Sequence, residues 1–259
     1  MEFTEYASLL SFRFLGPNAR LPRPLDPLVD AIFRRAGALI EICNTRLPVQ
    51  DEMTRRALSE LCRIPRMSTF AIASLINYGV SLMPRDQAYL NVGVWNGFSF
   101  LAGLVNNPDK VCIGVDNFSE FGGPREGFLK RFERYKSLNH DFFDMDYREY
   151  LSKVHRRQIG FYVFDGPHSY EDQLNGLELA EPFFGRNCRI LVDDTNWQAP
   201  REATMKFVES RGDRYRVIFD QRTSRNGHPT FWNGIIIVER GGSLHPTPWI
   251  QTHAEGNEV

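Results

Sequence analysis

The sequence predicts a doubly wound α/β fold. It has a mostly parallel seven-stranded sheet, an antiparallel C-terminal strand pair and an N-terminal helical cap. Three observations carry this reading. From Ala88 onward, short runs rich in Val, Ile, Phe and Tyr alternate with helix-like stretches, the pattern of βαβ units. Those runs are continuously apolar, as strands are when helices cover both faces of a parallel sheet. Ahead of them the regular stretches have helical periodicity only.

In chain order, residues 1–25 are mixed, and "GPNARLPRPLDP" is a Pro-rich connector. Asp26 is placed to cap a helix that starts at Pro27 and runs through "LVDAIFRRAGALIEICN". Two further helices fit "QDEMTRRALSELCRI", with Asp51 near its start, and "MSTFAIASLINYGVSL". These make residues 1–85 the helical cap and 86–240 the core. The core strands are "AYLNVGV", "KVCIGVDN", a weaker "HDFFDMD", "GFYVFDG" and "RILVDDT". Helices fit "FSFLAGLVNN", "PREGFLKRFERYKSL" and "YEDQLNGLELAEPFF" between them. "RYRVIFDQR" and "FWNGIIIVER" flank a polar loop and read as the antiparallel pair. The tail 241–259 has no periodicity and reads as loose.

The chain has 259 residues, 42% of them hydrophobic, enough for one large α/β core with additions. A net charge of −1 disfavours a duplex-binding face or a polybasic membrane anchor, so neither nucleic acid nor membrane is an expected partner. The four cysteines, Cys43, Cys62, Cys112 and Cys188, form no CxxC pair, which argues against zinc and against a disulfide framework. Glu2 and Glu5 stand where a signal peptide carries Lys or Arg, and no apolar run approaches the ~18 residues of a membrane span. The expected location is cytoplasmic.

In open parallel sheets, ligands bind beyond the carboxyl ends of the strands. After the first strand come Gly93, Gly97 and Ser99. The glycines allow close backbone approach and a sharp turn into a helix, and Ser99 offers a hydroxyl there. The second strand ends at Asp116, 23 residues after Gly93, where an acid can grip ribose hydroxyls. The fourth ends at Asp165 and the fifth at Asp193 and Asp194. Adjacent strands would gather three carboxylates, which repel unless a cation or a shared proton lies between them. An all-oxygen set suits Mg²⁺, Mn²⁺ or Ca²⁺. His168, three residues past Asp165, is suited to accept a hydroxyl proton. Each feature alone also fits a helix cap or a surface acid. Trp95 and Trp197 fit a cleft wall or the core.

Together these motifs resemble class I S-adenosylmethionine (SAM)-dependent methyltransferases, whose fold is Rossmann-like. More narrowly, they resemble the metal-dependent small-molecule O-methyltransferases of the catechol and macrocin types. The resemblance spans about residues 85–240. "NVGVWNGFSF" matches the family's acid-x-Gly-x-x-x-Gly element with Asn91 in place of the acid, and "FDGPHSY" matches its D-G-x-H-x-Y element. The resemblance implies that Gly93, Gly97, Ser99 and Asp116 bind SAM, Ser99 at its methionine carboxylate and Asp116 at its ribose. It places Asp144 and Met145 against the adenine, and Asp165, Asp193 and Asp194 on a divalent cation, Mg²⁺ in expectation. His168, with Asp165, is then catalytic, and the acceptor is a hydroxyl of a natural-product sugar, phenol or catechol. Other readings stay open at this point: a metal-independent methyltransferase, a nicotinamide-dependent dehydrogenase (though G-x-G-x-x-G lacks its third glycine), or a non-catalytic cofactor-binding protein. A homodimer through the N-terminal helices is also open.

Overall fold

The computed structural model describes residues 1–20, 27–49 and 51–241, with the backbone alone for 27–35. The expected cap at Asp26 and all but the first residue of the tail lie outside the described residues. Two short strands, β1 (Ser11–Phe12) and β2 (Thr45–Arg46), pair antiparallel. The main sheet has seven strands: β3 (Ala88–Val92), β4 (Val111–Asp116), β5 (His140–Asp144), β6 (Ile159–Phe164), β7 (Phe184–Val192), β8 (Tyr215–Gln221) and β9 (Ile235–Arg240). Their order is β5-β4-β3-β6-β7-β9-β8. The first five are parallel, and β9 inserts between β7 and β8, antiparallel to both. The predicted architecture is thus present, with the last strand lying inside the sheet and β8 at its edge.

Every residue of β3 and β6 is buried, because both sheet faces are covered. Phe161 and Val163 of β6 join one core layer, and Tyr162 and Phe164 join the other. The first layer is completed by α1 (Phe3–Leu9), α3 (Glu52–Leu61), α4 (Phe70–Leu82), α5 (Phe98–Leu104) and α6 (Arg125–Tyr135). The second holds α7 (Tyr147–Glu149), which runs on into a π turn, α8 (Tyr170–Ala180) and α9 (Gln198–Glu209). Helix α2 (Pro27–Asn44) begins at the predicted proline. Asp51 caps α3, accepting from the Met53 and Thr54 N–H groups at 3.0 and 3.3 Å. Helix α4 lies flush on the sheet: a Cβ on Gly79 would stand 2.1 Å from the Phe161 ring.

Three helices were not expected: α1, α9 and the short α7 with its π turn. Helix α1 falls in the segment read as mixed. It is held by packing rather than by a strong local signal, with Phe3 edge-on to Phe161 at 5.9 Å and Tyr6 stacked on Tyr78 at 3.9 Å. Helix α9 opens on the polar run "QAPRE". Pro200 is its third residue, inside the first turn, where a missing N–H breaks no helical bond.

Candidate functional site

A cavity of about 450 Å³ opens at the carboxyl ends of β3, β4, β6 and β7. It lies where the chain reverses its winding: β4 and β5 build outward from one side of β3, and β6 and β7 from the other. Gly93 makes this junction. Its φ is +79°, and a Cβ there would stand 1.8 Å from the Asp165 carbonyl oxygen. No other residue lets the two strand-end loops touch. The Gly93 N–H donates to Val115 O and the Asp165 N–H to Val92 O, both at 2.9 Å, so three strand ends are laced together. Gly97, with φ +98°, precedes the first residue of α5, and Ser99 lines the cavity from that helix.

Asp116 also lines the cavity, and its carboxylate is already engaged. Oδ2 accepts from the Val94 and Trp95 N–H groups and Oδ1 from the Phe118 N–H, all at 2.7 Å. A carboxylate has about four lone-pair positions, so roughly one remains, on Oδ1. A ribose hydroxyl arriving here would meet that single oxygen. Asn91 is fully buried and explains its own departure from the acidic motif. Its amide donates to the Val92 and Gly93 carbonyls at 3.2 and 3.1 Å, while its oxygen accepts from the Tyr89 hydroxyl at 3.0 Å. A carboxylate could not make the first two bonds.

The acids of β6 and β7 meet on the β6–β7 side of the cavity. One ligand atom each from Asp165, His168 and Asp193 lies within 4.8 Å of the other two. His168 Nε2 is 3.4 Å from Asp194 Oδ2 and 3.8 Å from Asp165 Oδ1. Burial and the facing Asp193 carboxyl push the Asp165 carboxyl well above the usual carboxylate range. Burial and Asp193 also raise Asp194, to about 7, against the opposing pull of His168 and of the Asn233 amide, which donates to Asp194 Oδ1 at 2.7 Å. Asp193 Oδ1 and His168 Nδ1 are buried with no hydrogen-bond partner. Crowded carboxylates with an orphaned oxygen are the donor set a hard divalent cation relieves. The residues present fit such an ion, with Asp194 turned toward Asn233 and His168 rather than into the tightest grouping.

The remaining expected positions divide. Met145 lines the cavity; Asp144, at the end of β5, is half-exposed and paired with Arg125. Trp197 stands at the rim, edge-on to His168 at 5.6 Å, and Trp95 is edge-on to Phe121. His140, His155 and His228 are bonded to backbone carbonyls, and burial lowers the pKa of each. The sequence reasoning missed Arg66, Trp232 and Asn233, which all line the cavity. No motif marks them. Backbone strain marks one of them: Trp232 has a positive φ, as do Trp95, Phe118, Phe121 and Asp194 on the same cavity. Non-glycine residues held there cluster at functional sites.

Residues 90–195 match the family model of a methyltransferase domain. No curated protein matches the chain by sequence. Among solved structures, a provisionally assigned O-methyltransferase from Klebsiella pneumoniae is similar, at 13% identity and a TM-score of 0.55, over 83% of this chain and 97% of that one. An O-methyltransferase from Bacillus cereus in complex with S-adenosylhomocysteine (SAH) is similar at 11% identity and 0.52, over 81% and 97%. A Streptococcus mutans protein described as a methyltransferase, also in complex with SAH, is similar at 12% identity and 0.50, over 68% and 99%. These likenesses share the fold.

Proposed function

We propose that this chain is a class I SAM-dependent methyltransferase and that it transfers the methyl group to a hydroxyl of a small molecule with the help of a divalent cation. One observation carries the proposal. Asp165, His168 and Asp193 converge at the β6–β7 side of the cavity that Gly93, Ser99 and Asp116 line from the β3–β4 side. The first group is suited to an ion and a hydroxyl, the second to the methyl donor. A natural-product sugar, phenol or catechol with two neighbouring oxygens is the expected acceptor, and Mg²⁺ the expected ion.

When bound, SAM supplies an electrophilic methyl group, and a divalent ion supplies the positive charge that makes a hydroxyl acidic near neutral pH. The protein does the rest. Asp165 and Asp193 would hold the ion through oxygens that otherwise repel each other, and Asp194, fixed by Asn233, completes the acidic wall. His168 takes the acceptor's proton on its imidazole. Trp197 shields that imidazole from one side, and the Gly93 junction keeps acceptor and donor walls at a fixed separation.

The test is methyl transfer from labelled SAM to a panel of phenols, catechols and sugars, before and after exhaustive chelation. Activity lost on chelation and restored by Mg²⁺ or Mn²⁺ supports the proposal. Activity that survives chelation points to metal-independent transfer. The same atoms support a second reading of one residue, His168 as ligand rather than base, since its imidazole belongs to the tightest grouping. His168→Gln separates the two: a lost base lowers turnover at unchanged metal affinity, and a lost ligand weakens the metal.

A further inference from the structure

We infer that Arg66 is a cofactor-binding residue whose guanidinium takes the methionine carboxylate of SAM beside Ser99. The inference rests on the methyltransferase reading and adds to it a residue that lies outside every motif of the sequence.

Arg66 sits in the turn between α3 and α4, and its side chain is only 12% exposed. It lines the cavity together with Phe98 and Ser99, and its Cζ lies 5.3 Å from the centre of the Phe98 ring. Phe98 and Ser99 open α5, so the guanidinium lies at the end of the helix that also brings the Ser99 hydroxyl to the cavity. The side chain is held in advance. Nη1 donates to Cys62 O, and Nη2 donates to Glu41 Oε1 at 2.9 Å. Glu41 is itself fixed by the Phe70 N–H at 3.0 Å.

The Nε N–H is buried and has no acceptor. A buried unpaired donor on a permanent cation is unfavourable, and a carboxylate is the acceptor that the guanidinium fork fits best. The other cavity-lining arginine, Arg148, pairs with Asp146 and Asp172. The cavity's own acids would repel a carboxylate. Arg66 has one carboxylate partner, Glu41, against two for Arg148, and keeps Nε without an acceptor, so among the described residues it is the cavity arginine with bonding capacity left for that end of the cofactor.

Two ligands isolate the contact. SAH carries the carboxylate; 5′-methylthioadenosine shares the nucleoside and sulfur but lacks the amino-acid end. Calorimetry on the full chain compares wild type, Arg66→Lys and the double variant Arg66→Met with Glu41→Gln, which leaves no lone buried charge. Wild type should bind both ligands. Both variants should lose SAH affinity, roughly 10- to 100-fold in the double variant and less in Arg66→Lys, with methylthioadenosine affinity held within about twofold. SAH affinity unchanged in both variants, or both ligands weakened equally in both, overturns the inference while leaving the methyltransferase reading intact. A wild-type chain that binds neither ligand overturns both.

Discussion

Replacing Gly93 with Ala should separate the two walls of the site. The new Cβ would lie 1.8 Å from the Asp165 carbonyl oxygen, where a carbon–oxygen contact needs about 3.3 Å, so the loops must part by roughly 1.5 Å. A positive φ costs an L-residue about 1–2 kcal/mol, and overpacking adds about 1–3 kcal/mol, giving a loss of roughly 2–5 kcal/mol. For a chain of this length that lowers Tm by about 5–15 °C. Gly122 is the control, with φ +80° and nothing within 4 Å of its hypothetical Cβ. Gly122→Ala carries the conformational cost alone, about 1–2 kcal/mol. The assay is urea unfolding of both variants, with SAH binding measured alongside. Gly93→Ala that is no less stable than Gly122→Ala, with wild-type SAH affinity, would refute the argument that this junction sets the geometry of the cavity.

Asn91→Asp restores the acid that the related motif carries, yet it should destabilise the chain by about 2–4 kcal/mol. It puts a carboxylate in a fully buried position and leaves two carbonyls without their donor; urea unfolding near pH 7 reads the loss. Asp194→Asn should stabilise the protein above pH 7, by up to about 2–4 kcal/mol in the absence of metal. The sign follows from a folded pKa near 7 against 3.8 for the free group. The native state holds the extra proton between those values, so wild-type stability falls as pH rises through that window. The advantage of the variant should shrink toward zero below pH 4, and denaturation at pH 4, 6 and 8 checks it. The same variant should be inactive, and added SAM should not rescue it.

The fold was legible because its strands advertise themselves. "AYLNV" and "GFYVF" are too apolar for a one-sided sheet, and the spacing of strand ends already placed Asp165 and Asp193 on neighbours. Helices α1 and α9 were not legible because tertiary packing stabilises one and a first-turn proline disguises the other. At the site, the sequence brought out residues that end strands. It could not show how they are used. Asp116 reads as a ribose acid, but three backbone N–H groups occupy most of its carboxylate, and those bonds exist only once β3 and β4 lie side by side. Arg66 and Asn233 reach the cavity from turns with no regular pattern, so only the folded chain places them. The sheet and Asp116 alone did not separate SAM from a nicotinamide cofactor; the methyltransferase-domain match over residues 90–195 supports the proposal of SAM.

The central claim is that β6 and β7 bring their terminal acids to one ion beside the methyl donor. The most direct measurement is a crystal structure with SAH and Mn²⁺, read by manganese anomalous scattering. The account predicts one strong peak bonded to Asp165 and Asp193, on the side of the cavity that the SAH sulfur faces. SAH bound in the cavity with no manganese at those carboxylates, at saturating Mn²⁺, would contradict it.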